Sequence, residues 1–289
     1  MRTVTENLED AAASICALLD GLFPDNVTMR DVNRRGSGVF SAGPSHVFPQ
    51  LDSEHKRIRS RIGAELDHFM AVVHAMLRSQ PREAQKVLSK AEKTLRRVAD
   101  QAHVNYSSTD TAKEGCRAAL DEVLALVSDL HDDSEGDVLL IPDTNAMLAS
   151  PALQSWTFED ISAFQLVLVP SVLGELDGLK TNHRNPNVRD KAMALIRQVK
   201  EFRRRGKLTD GVPVVHDKIT LRALAVEPDL DASLPWLDRD SADDRILASC
   251  VEVMRTHPRA AVALVTADIN LQNKAEFALI PFLEPPESQ

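Results

Sequence analysis

The stretch that decides the fold is Val138–Asn145, VLLIPDTN, in which four apolar residues lead directly into proline, aspartate, threonine and asparagine. A short, continuous apolar run is typical of a strand that is covered on both faces, as in a parallel sheet. Two further runs share this form, FQLVLV at 164–169 and AVALV at 261–265. Pro213–His216 is a candidate for a fourth strand.

Helical patterns separate these apolar runs, notably at 186–205 and 242–255. Asn185-Pro186 and Gly206 are the residues expected at the start and the stop of the first of these helices. Strands that alternate with helices indicate a parallel sheet in an α/β domain, which we assign to residues 138–289.

The first half of the chain carries a different pattern, with apolar residues at steps of three and four. This period predicts four amphipathic helices, at 8–22, 58–76, 84–102 and 116–130, that pack as an antiparallel bundle over residues 1–131. Thr111–Glu114 resembles a capping box for the fourth helix. The stretch 23–50, rich in Gly, Pro, Ser and Asn, predicts a long mobile loop, and the acidic stretch 132–137 predicts the linker.

Composition excludes several classes of protein. With 43% hydrophobic and 27% charged residues among 289, the chain is neither collagen-like, disordered nor a disulfide scaffold. Cys16, Cys116 and Cys250 are far apart and form no CxxC pair, so we expect three buried thiols in a reducing cytoplasm. We expect no contact with a membrane, because the sequence has neither an apolar signal core nor a run of about 20 apolar residues.

Acidic residues follow the predicted strands. Asp143 comes after the first strand, Glu175 lies in PSVLGELDGLK after the second, and Asp268 lies in TADIN after the third. A further helix opens with SADDRIL at 241–247. Because the carboxyl ends of parallel strands meet at one edge of a sheet, we expect these carboxylates to lie together.

Each acid also has a purely structural explanation. Asp143 could cap a helix, Ser241–Asp244 fits a capping box, Glu175 suits the first turn of a helix, and Asp268 could begin a turn. Four carboxylates at one edge, however, repel each other and raise each other's pKa, so a cluster needs cations. Carboxylate oxygens suit Mg²⁺ or Mn²⁺, and the pattern therefore predicts a site for one of these ions.

Together, PDTN, PSVLGELDGLK, SADDRIL and VTADIN resemble the four acidic motifs of the PIN-domain nucleases, in the family's order and over about residues 137–285. The resemblance implies a PIN-like α/β/α sandwich with a parallel sheet and metal-dependent cleavage, usually of single-stranded RNA. The catalytic and metal-binding acids that it implies are Asp143, Glu175, Asp244 and Asp268.

The third acid stays open, because the doubled aspartate leaves the register uncertain: Asp243 competes with Asp244, and Asp238 and Asp240 are outside candidates. The resemblance also implies that polar residues support the acids, and the matching positions are Thr144, Asn145, Thr266 and Asn270.

Basic residues gather downstream of the second motif. Ten Lys and Arg against two acids between Lys180 and Lys207 give a local charge of +8 in a chain of net charge −9. A solvated helix end would explain Arg203–Arg205. Contact with a phosphate backbone is the alternative that also explains the earlier cations, and it predicts a nucleic-acid-binding role for Lys180, Arg184, Arg189, Arg203, Arg204 and Arg205.

The leading functional prediction is a Mg²⁺- or Mn²⁺-dependent endoribonuclease, a hydrolase of single-stranded RNA. The N-terminal helices would then serve homo-oligomer assembly, substrate access or the docking of a protein partner. Four alternatives stay open: a structure-specific DNA nuclease, a toxin with a cognate antitoxin, a non-catalytic nucleic-acid or protein-binding module on the same fold, and an adaptor whose helices bind a partner.

Overall fold

The computed structural model describes residues 1–23, 25–32 and 45–287. The chain divides into two compact units, one of Thr5–Leu130 and one of His131–Gln289 with Met1–Val4. In the described part of the chain, no helix combines the length and the apolar character that crossing a bilayer requires.

The first unit is built on four helices, and each of the four predicted segments is helical. The helices are α1 (Val4–Leu22), α2 (Ser53–Leu77), α3 (Arg82–Ala99) and α4 (Thr109–Ser128). Helix α2 packs against α3 and α4, and Ser14 Oγ of α1 donates to Glu65 Oε2 of α2 at 2.7 Å. The core is largely aliphatic, as expected of a chain with few aromatics, with Leu66, Leu88 and Val123 buried.

Two local predictions for this unit need correction. The N-cap of α4 is Ser108, whose hydroxyl accepts from the amide nitrogen of Thr111 at 3.2 Å in a capping box, so Thr111 is the last residue of the box, at position N3, rather than its start. Of the predicted loop at 23–50, residues 24 and 33–44 lie outside the described residues. Its described ends form two strands that were not predicted, β1 (Arg30–Asp31) and β2 (His46–Val47), which pair antiparallel.

The second unit alternates strands with helices. In chain order its elements are β3 (Val138–Pro142), α5 (Thr144–Ala149), β4 (Phe164–Leu168), α6 (Pro170–Asn182), α7 (Pro186–Arg205), β5 (Val212–Val215), β6 (Ile219–Ala223), α8 (Ala242–Thr256), β7 (Ala261–Val265), α9 (Ile269–Phe277) and β8 (Phe282–Leu283). Helix α7 begins after Asn185, whose side chain accepts from the amide of Asn187, and it ends at Gly206, which confirms both predicted signals.

The sheet has the order β5-β6-β4-β3-β7-β8 and is mixed but largely parallel, in a PIN-like α/β/α fold. The predicted fold class is confirmed, and the one departure from a parallel arrangement is strand β5, which runs antiparallel to β6. The three residues 216–218 between them are too few for the crossover that a parallel pair needs.

Strand β3 lies at the centre of the sheet, and its residues Leu139–Ile141 are fully buried. The carboxyl ends of β3 and β7 are in register at Pro142 and Val265, and those of β4 and β6 at Leu168 and Ala223. Helices α5, α6 and α9 begin directly beyond β3, β4 and β7, so this edge of the sheet receives the residues that follow each strand.

The three cysteines are free. Cys116 and Cys250 are buried as predicted, but Cys16 is only half-buried, so one of the three thiols contradicts the prediction. Burial raises the pKa of the Cys116 thiol to about 12, which keeps that sulfur protonated and unreactive.

Candidate active site at the carboxyl edge of the sheet

Asp143 is almost enclosed at this edge, with 4% of its surface exposed. It caps α5, since Oδ1 accepts from the amide nitrogen of Ala146 at 2.6 Å, and Oδ2 accepts from Thr266 Oγ1 at 2.5 Å. Burial raises the pKa of Asp143, and the nearby carboxylates of Asp243 and Asp268 raise it further, while the two hydrogen bonds act in the opposite direction. The structural and functional explanations of this residue are therefore compatible.

Glu175 approaches the same edge from α6. Its Oε2 accepts from Thr144 Oγ1 at 2.6 Å, although the two residues are 31 positions apart. Thr144 directly follows Asp143, so this hydrogen bond fixes the position of Glu175 relative to the start of α5. The rest of the Glu175 side chain is exposed, which leaves it accessible to a substrate.

Asp268 lies at the start of α9, beyond β7. Its Oδ1 accepts from the amide nitrogens of Asn270 at 2.8 Å and Leu271 at 3.2 Å, so it is an N-cap rather than the turn residue of the structural explanation. Its own amide donates to Thr266 Oγ1 at 3.0 Å. Thr266 thus joins Asp143 and Asp268 through one hydroxyl group.

The two adjacent aspartates at the start of α8, Asp243 and Asp244, have different roles. Asp244 is 4% exposed, and both of its oxygens are occupied: Oδ1 by Lys274 Nζ at 2.5 Å and Oδ2 by the amide of Asp238 at 2.9 Å. Ser241 caps the helix by accepting from the amide of Asp244, but the Asp244 side chain does not reach back as the capping-box prediction required.

Asp243, in contrast, is only partly buried. Burial raises its pKa, the carboxylates of Asp268, Asp244 and Glu175 raise it further, and Lys274 lowers it. Asp243 is also one of the charges that raise the pKa of Asp143, whereas both oxygens of Asp244 are held by Lys274 and the amide of Asp238. The geometry therefore favours Asp243 over Asp244 as the third acid of the acidic cluster, a name that we give to Asp143, Glu175, Asp243 and Asp268.

The predicted supporting residues differ in what they contact. Thr144 and Thr266 donate to acids of the acidic cluster. Asn145 is exposed, and Asn270 contributes its backbone amide to Asp268. The outside candidates lie in a turn before α8, in which Asp238 Oδ1 accepts from the amide of Asp240 at 2.9 Å.

Two residues of this edge were missed in the sequence. Lys274 carries the cation that neutralises Asp244, and it lies on α9 six residues after Asp268, a spacing that no motif marks. Ser171, in the first turn of α6, has a buried hydroxyl without a hydrogen-bond partner among the described residues. The N-cap of α6, Val169, supplies no side-chain acceptor, so the first amides of this helix are available to an anion.

Several predicted nucleic-acid-binding residues line a groove of about 970 Å³ at the end of α7. Pro170, which follows β4, and Ala223, which ends β6, also line it, so the groove opens at the same edge of the sheet as the acidic cluster. We call this feature the basic groove, and its cations are Lys200, Arg203, Arg204, Arg205 and Lys207. Arg204 pairs with Glu201 at 3.0 Å, and the Arg205 guanidinium lies 5.0 Å from the Phe202 ring centre.

The remaining predicted cations lie elsewhere. Arg189 donates to the carbonyl oxygen of His183 at 2.7 Å, so it closes the end of α6 instead of facing a ligand. Lys180 pairs with Asp177 on its own helix, and Arg184 is exposed in the turn before α7. The structure thus gathers Arg203–Arg205 and leaves the other three outside the basic groove.

The oxygen donors of the acidic cluster have the chemistry that Mg²⁺ or Mn²⁺ requires. Within the described ranges, no three His, Cys, Asp or Glu side chains stand close enough to form a ready-made metal site. Mg²⁺, however, keeps several water ligands and is commonly held by one or two carboxylates together with substrate phosphates. Asp143 and Asp243, whose pKa values are raised by burial and by neighbouring carboxylates, fit that partial coordination.

Comparison with protein-family models gives one match in this unit. Residues 140–283 match the model described as the PIN domain, a range that runs from β3 to β8. A comparison with curated proteins finds no match to the chain.

Proposed function

The C-terminal half of this chain belongs to the PIN-domain family, whose members are generally nucleases, and we propose that it is a Mg²⁺- or Mn²⁺-dependent endoribonuclease that hydrolyses single-stranded RNA. One observation carries the proposal: four acids from four separate segments lie at one edge of the sheet, namely Asp143, Glu175, Asp243 and Asp268. Their charges shift the pKa of Asp143 or of Asp243, and hydrogen bonds with Thr144 and Thr266 hold three of them in place. Carboxyl groups such as Asp143 and Asp243, whose pKa values are raised by burial and by neighbouring carboxylates, are candidates for a functional site.

Asp143 and Asp243 would hold the metal ion. Glu175 and Asp268 would add the remaining negative charge of the acidic cluster. A bound ion would neutralise phosphate oxygens and lower the pKa of an attacking water. The chain itself supplies orientation, because Thr266 and the Ala146 amide fix the Asp143 carboxylate before any ligand arrives. The Thr144 hydroxyl donates a hydrogen bond to Glu175 Oε2. The other carboxylate oxygen, Oε1, is therefore the atom that would accept a hydrogen bond from the attacking water.

The basic groove supports a nucleic acid as the substrate. Its five cations lie at the edge of the sheet that carries the acidic cluster, and α6 contributes to both, with Gly174 and Asp177 lining the groove and Glu175 bonded to Thr144. Phosphate contacts of this kind position a strand without reading its sequence.

The proposal is tested by cleavage of end-labelled single-stranded RNA in Mn²⁺. We expect internal cleavage that EDTA abolishes and that Asp143→Asn reduces by about 100-fold or more. The matched control is Asp217→Asn, an exposed aspartate between β5 and β6 at the amino end of the sheet. If Asp143→Asn cleaved as fast as the wild type, the proposed site would be wrong. Metal-independent binding of RNA without cleavage would favour the non-catalytic alternative.

The basic groove is tested by Arg203→Ala combined with Arg204→Ala. Removing two phosphate contacts should weaken binding of single-stranded RNA and lower the slope of log affinity against log salt by about 1.4. The control is Lys218→Ala, which removes an exposed cation at the start of β6. An unchanged salt slope in the double variant would show that the groove is not the substrate path.

Free cysteines fit a reducing compartment, and the cytoplasm stays our proposed location.

A further inference from the structure

Helix α3 of the first unit carries a row of cations that the proposed nuclease site does not use. Arg82, Lys86, Lys90, Lys93 and Arg97 follow each other at steps of four, four, three and four residues, and all five lie on one side of the helix. We call this row the α3 basic stripe. At 1.5 Å per residue it extends for about 22 Å.

The opposite side of α3 is the side that packs into the unit. Leu88, Ala91, Leu95 and Val98 are buried there. The first four cations of the α3 basic stripe are exposed, and Arg97 is partly exposed. The packing of the helix therefore fixes the stripe at the surface.

Little negative charge within the described ranges offsets the stripe. Lys86 pairs with Glu83 at 2.9 Å, whereas the side chains of Arg82, Lys90, Lys93 and Arg97 have no ion pair or hydrogen bond among the described residues. Of the other acids near α3, Glu92 and Asp67 are engaged by Arg96, which lies beside the stripe, and Asp100 caps the carboxyl end of the helix, three residues after Arg97. Residues 53–99 hold 11 Lys and Arg against 5 Asp and Glu, in a chain with a net charge of −9.

Such a row weakens the free helix, because like charges three and four residues apart repel each other. A helix that needed only solubility would alternate the signs of its charges, as α7 does in part at Glu201 and Arg204. An extended polyanion along the row would convert this repulsion into attraction and release counterions.

The chemistry of the stripe selects among polyanions. Helix α3 contains no aromatic residue, so it cannot stack the bases of a single strand, whereas a straight, rigid row of cations suits the regular phosphates of a double helix. A helix that lies in a membrane surface buries an apolar face there, whereas the apolar side of α3 packs into its own unit and leaves only Val87 exposed, which makes a membrane the weaker candidate. We propose that the α3 basic stripe binds the phosphate backbone of a double-helical nucleic acid, independently of its sequence.

The test is fluorescence anisotropy with the full-length protein in EDTA, so that binding is measured without cleavage and does not depend on the proposed nuclease activity. The probes are a duplex RNA, a duplex DNA of the same sequence, the single strands, and vesicles with anionic phosphatidylserine. We expect Lys90→Gln with Lys93→Gln to weaken duplex binding by about tenfold and to lower its salt slope by about two, because two phosphate contacts are lost. The two duplex arms distinguish RNA from DNA as the source of the phosphates.

Two control variants test whether the change in duplex binding comes from the charge of the α3 basic stripe. Glu83→Gln removes the acid that pairs with Lys86 and should tighten duplex binding by about twofold, while Lys218→Gln, in the other unit, should leave it unchanged. Duplex binding that survives Lys90→Gln with Lys93→Gln at an unaltered salt slope would overturn the proposal. So would a loss confined to the single strands or to the vesicles.

Discussion

At the scale of single residues, Asp143 shows why carboxylates that follow buried strands are hard to classify. The same side chain caps α5 through the Ala146 amide, accepts from Thr266, and lies beside the carboxylates of Asp243 and Asp268. A cap restrains a carboxylate, and a restrained carboxylate is what a metal site needs. The helix cap and the proposed metal site therefore require the same geometry of Asp143.

The raised pKa of Asp143 gives a prediction for the metal-free protein. Because the folded state holds the proton more tightly than the unfolded state, ionisation of Asp143 opposes folding above its folded-state pKa, and this penalty disappears as the pH falls below the unfolded-state pKa. In Asp143→Asn the amide oxygen can still accept from the Ala146 amide, while Nδ2 can donate to Thr266 Oγ1, which then accepts instead of donating, and the charge is gone. In EDTA we expect the variant to be more stable than the wild type at pH 7.5, with the difference shrinking towards pH 4.

Urea denaturation in EDTA at both pH values measures this difference. Asp217→Asn serves again as the control, since it removes an exposed carboxylate from a turn. A less stable Asp143→Asn at pH 7.5 would mean that the charged carboxylate stabilises the fold, contrary to our account.

The two aspartates at the start of α8 give a second prediction. Asp243→Asn relieves repulsion within the acidic cluster, so we expect stability in EDTA at or above that of the wild type and cleavage lowered by about 100-fold. Asp244→Asn leaves Lys274 without its ion pair, so we expect a loss of about 1–3 kcal/mol of unfolding free energy and cleavage within about tenfold of the wild type.

Thermal melting and RNA cleavage, measured on both variants, separate the two roles. The reverse pattern, in which Asp244→Asn abolishes cleavage and Asp243→Asn merely destabilises, would restore Asp244 as the third acid. The sequence could not decide this point, because neighbouring helical residues differ by about 100° in direction and only the position of Lys274 shows which one is neutralised.

At the scale of elements, helices and strands are predicted correctly where residues that start or stop an element coincide with the pattern of buried apolar residues. Helix α7 begins and ends at the predicted residues because Asn185, Pro186 and Gly206 supply the cap, the first turn and the stop. Strand β6 was missed because its polar residues Thr220 and Arg222 interrupt the apolar run. Strand β8 was missed because it has only two residues, and its pairing with β7 is a long-range event without a local pattern.

Helix α4 gives a third prediction, which concerns its packing. Replacing a glycine by alanine inside a helix normally stabilises it, by up to about 1 kcal/mol. At Gly115, however, a Cβ atom would overlap the phenol ring of Tyr106, so we expect Gly115→Ala to cost about 1–3 kcal/mol.

Gly63→Ala in α2 is the matched control, because a Cβ atom there meets nothing within 4 Å and the substitution should stabilise the protein. Chemical denaturation of the full chain measures both variants. Equal stabilisation by the two substitutions would show that Tyr106 moves aside freely and does not pack against α4 as described.

At the scale of the whole molecule, net charge proves a poor guide to partners. The chain is acidic at −9, yet the described residues present a basic groove beside the acidic cluster and a basic stripe on α3. The sequence revealed the first because its cations are consecutive at Arg203–Arg205. The second was missed in the sequence, because its members are separated by other residues and meet only on one side of the α3 helix.

The central claim is that the acidic cluster is a divalent-metal site, and electron paramagnetic resonance of Mn²⁺ titrated into the full-length protein tests it most directly. We expect the wild type and Asp217→Asn to immobilise Mn²⁺ alike, and Asp143→Asn and Asp243→Asn each to lose that signal or bind at least about tenfold more weakly. Equal Mn²⁺ binding by all four proteins would contradict the claim.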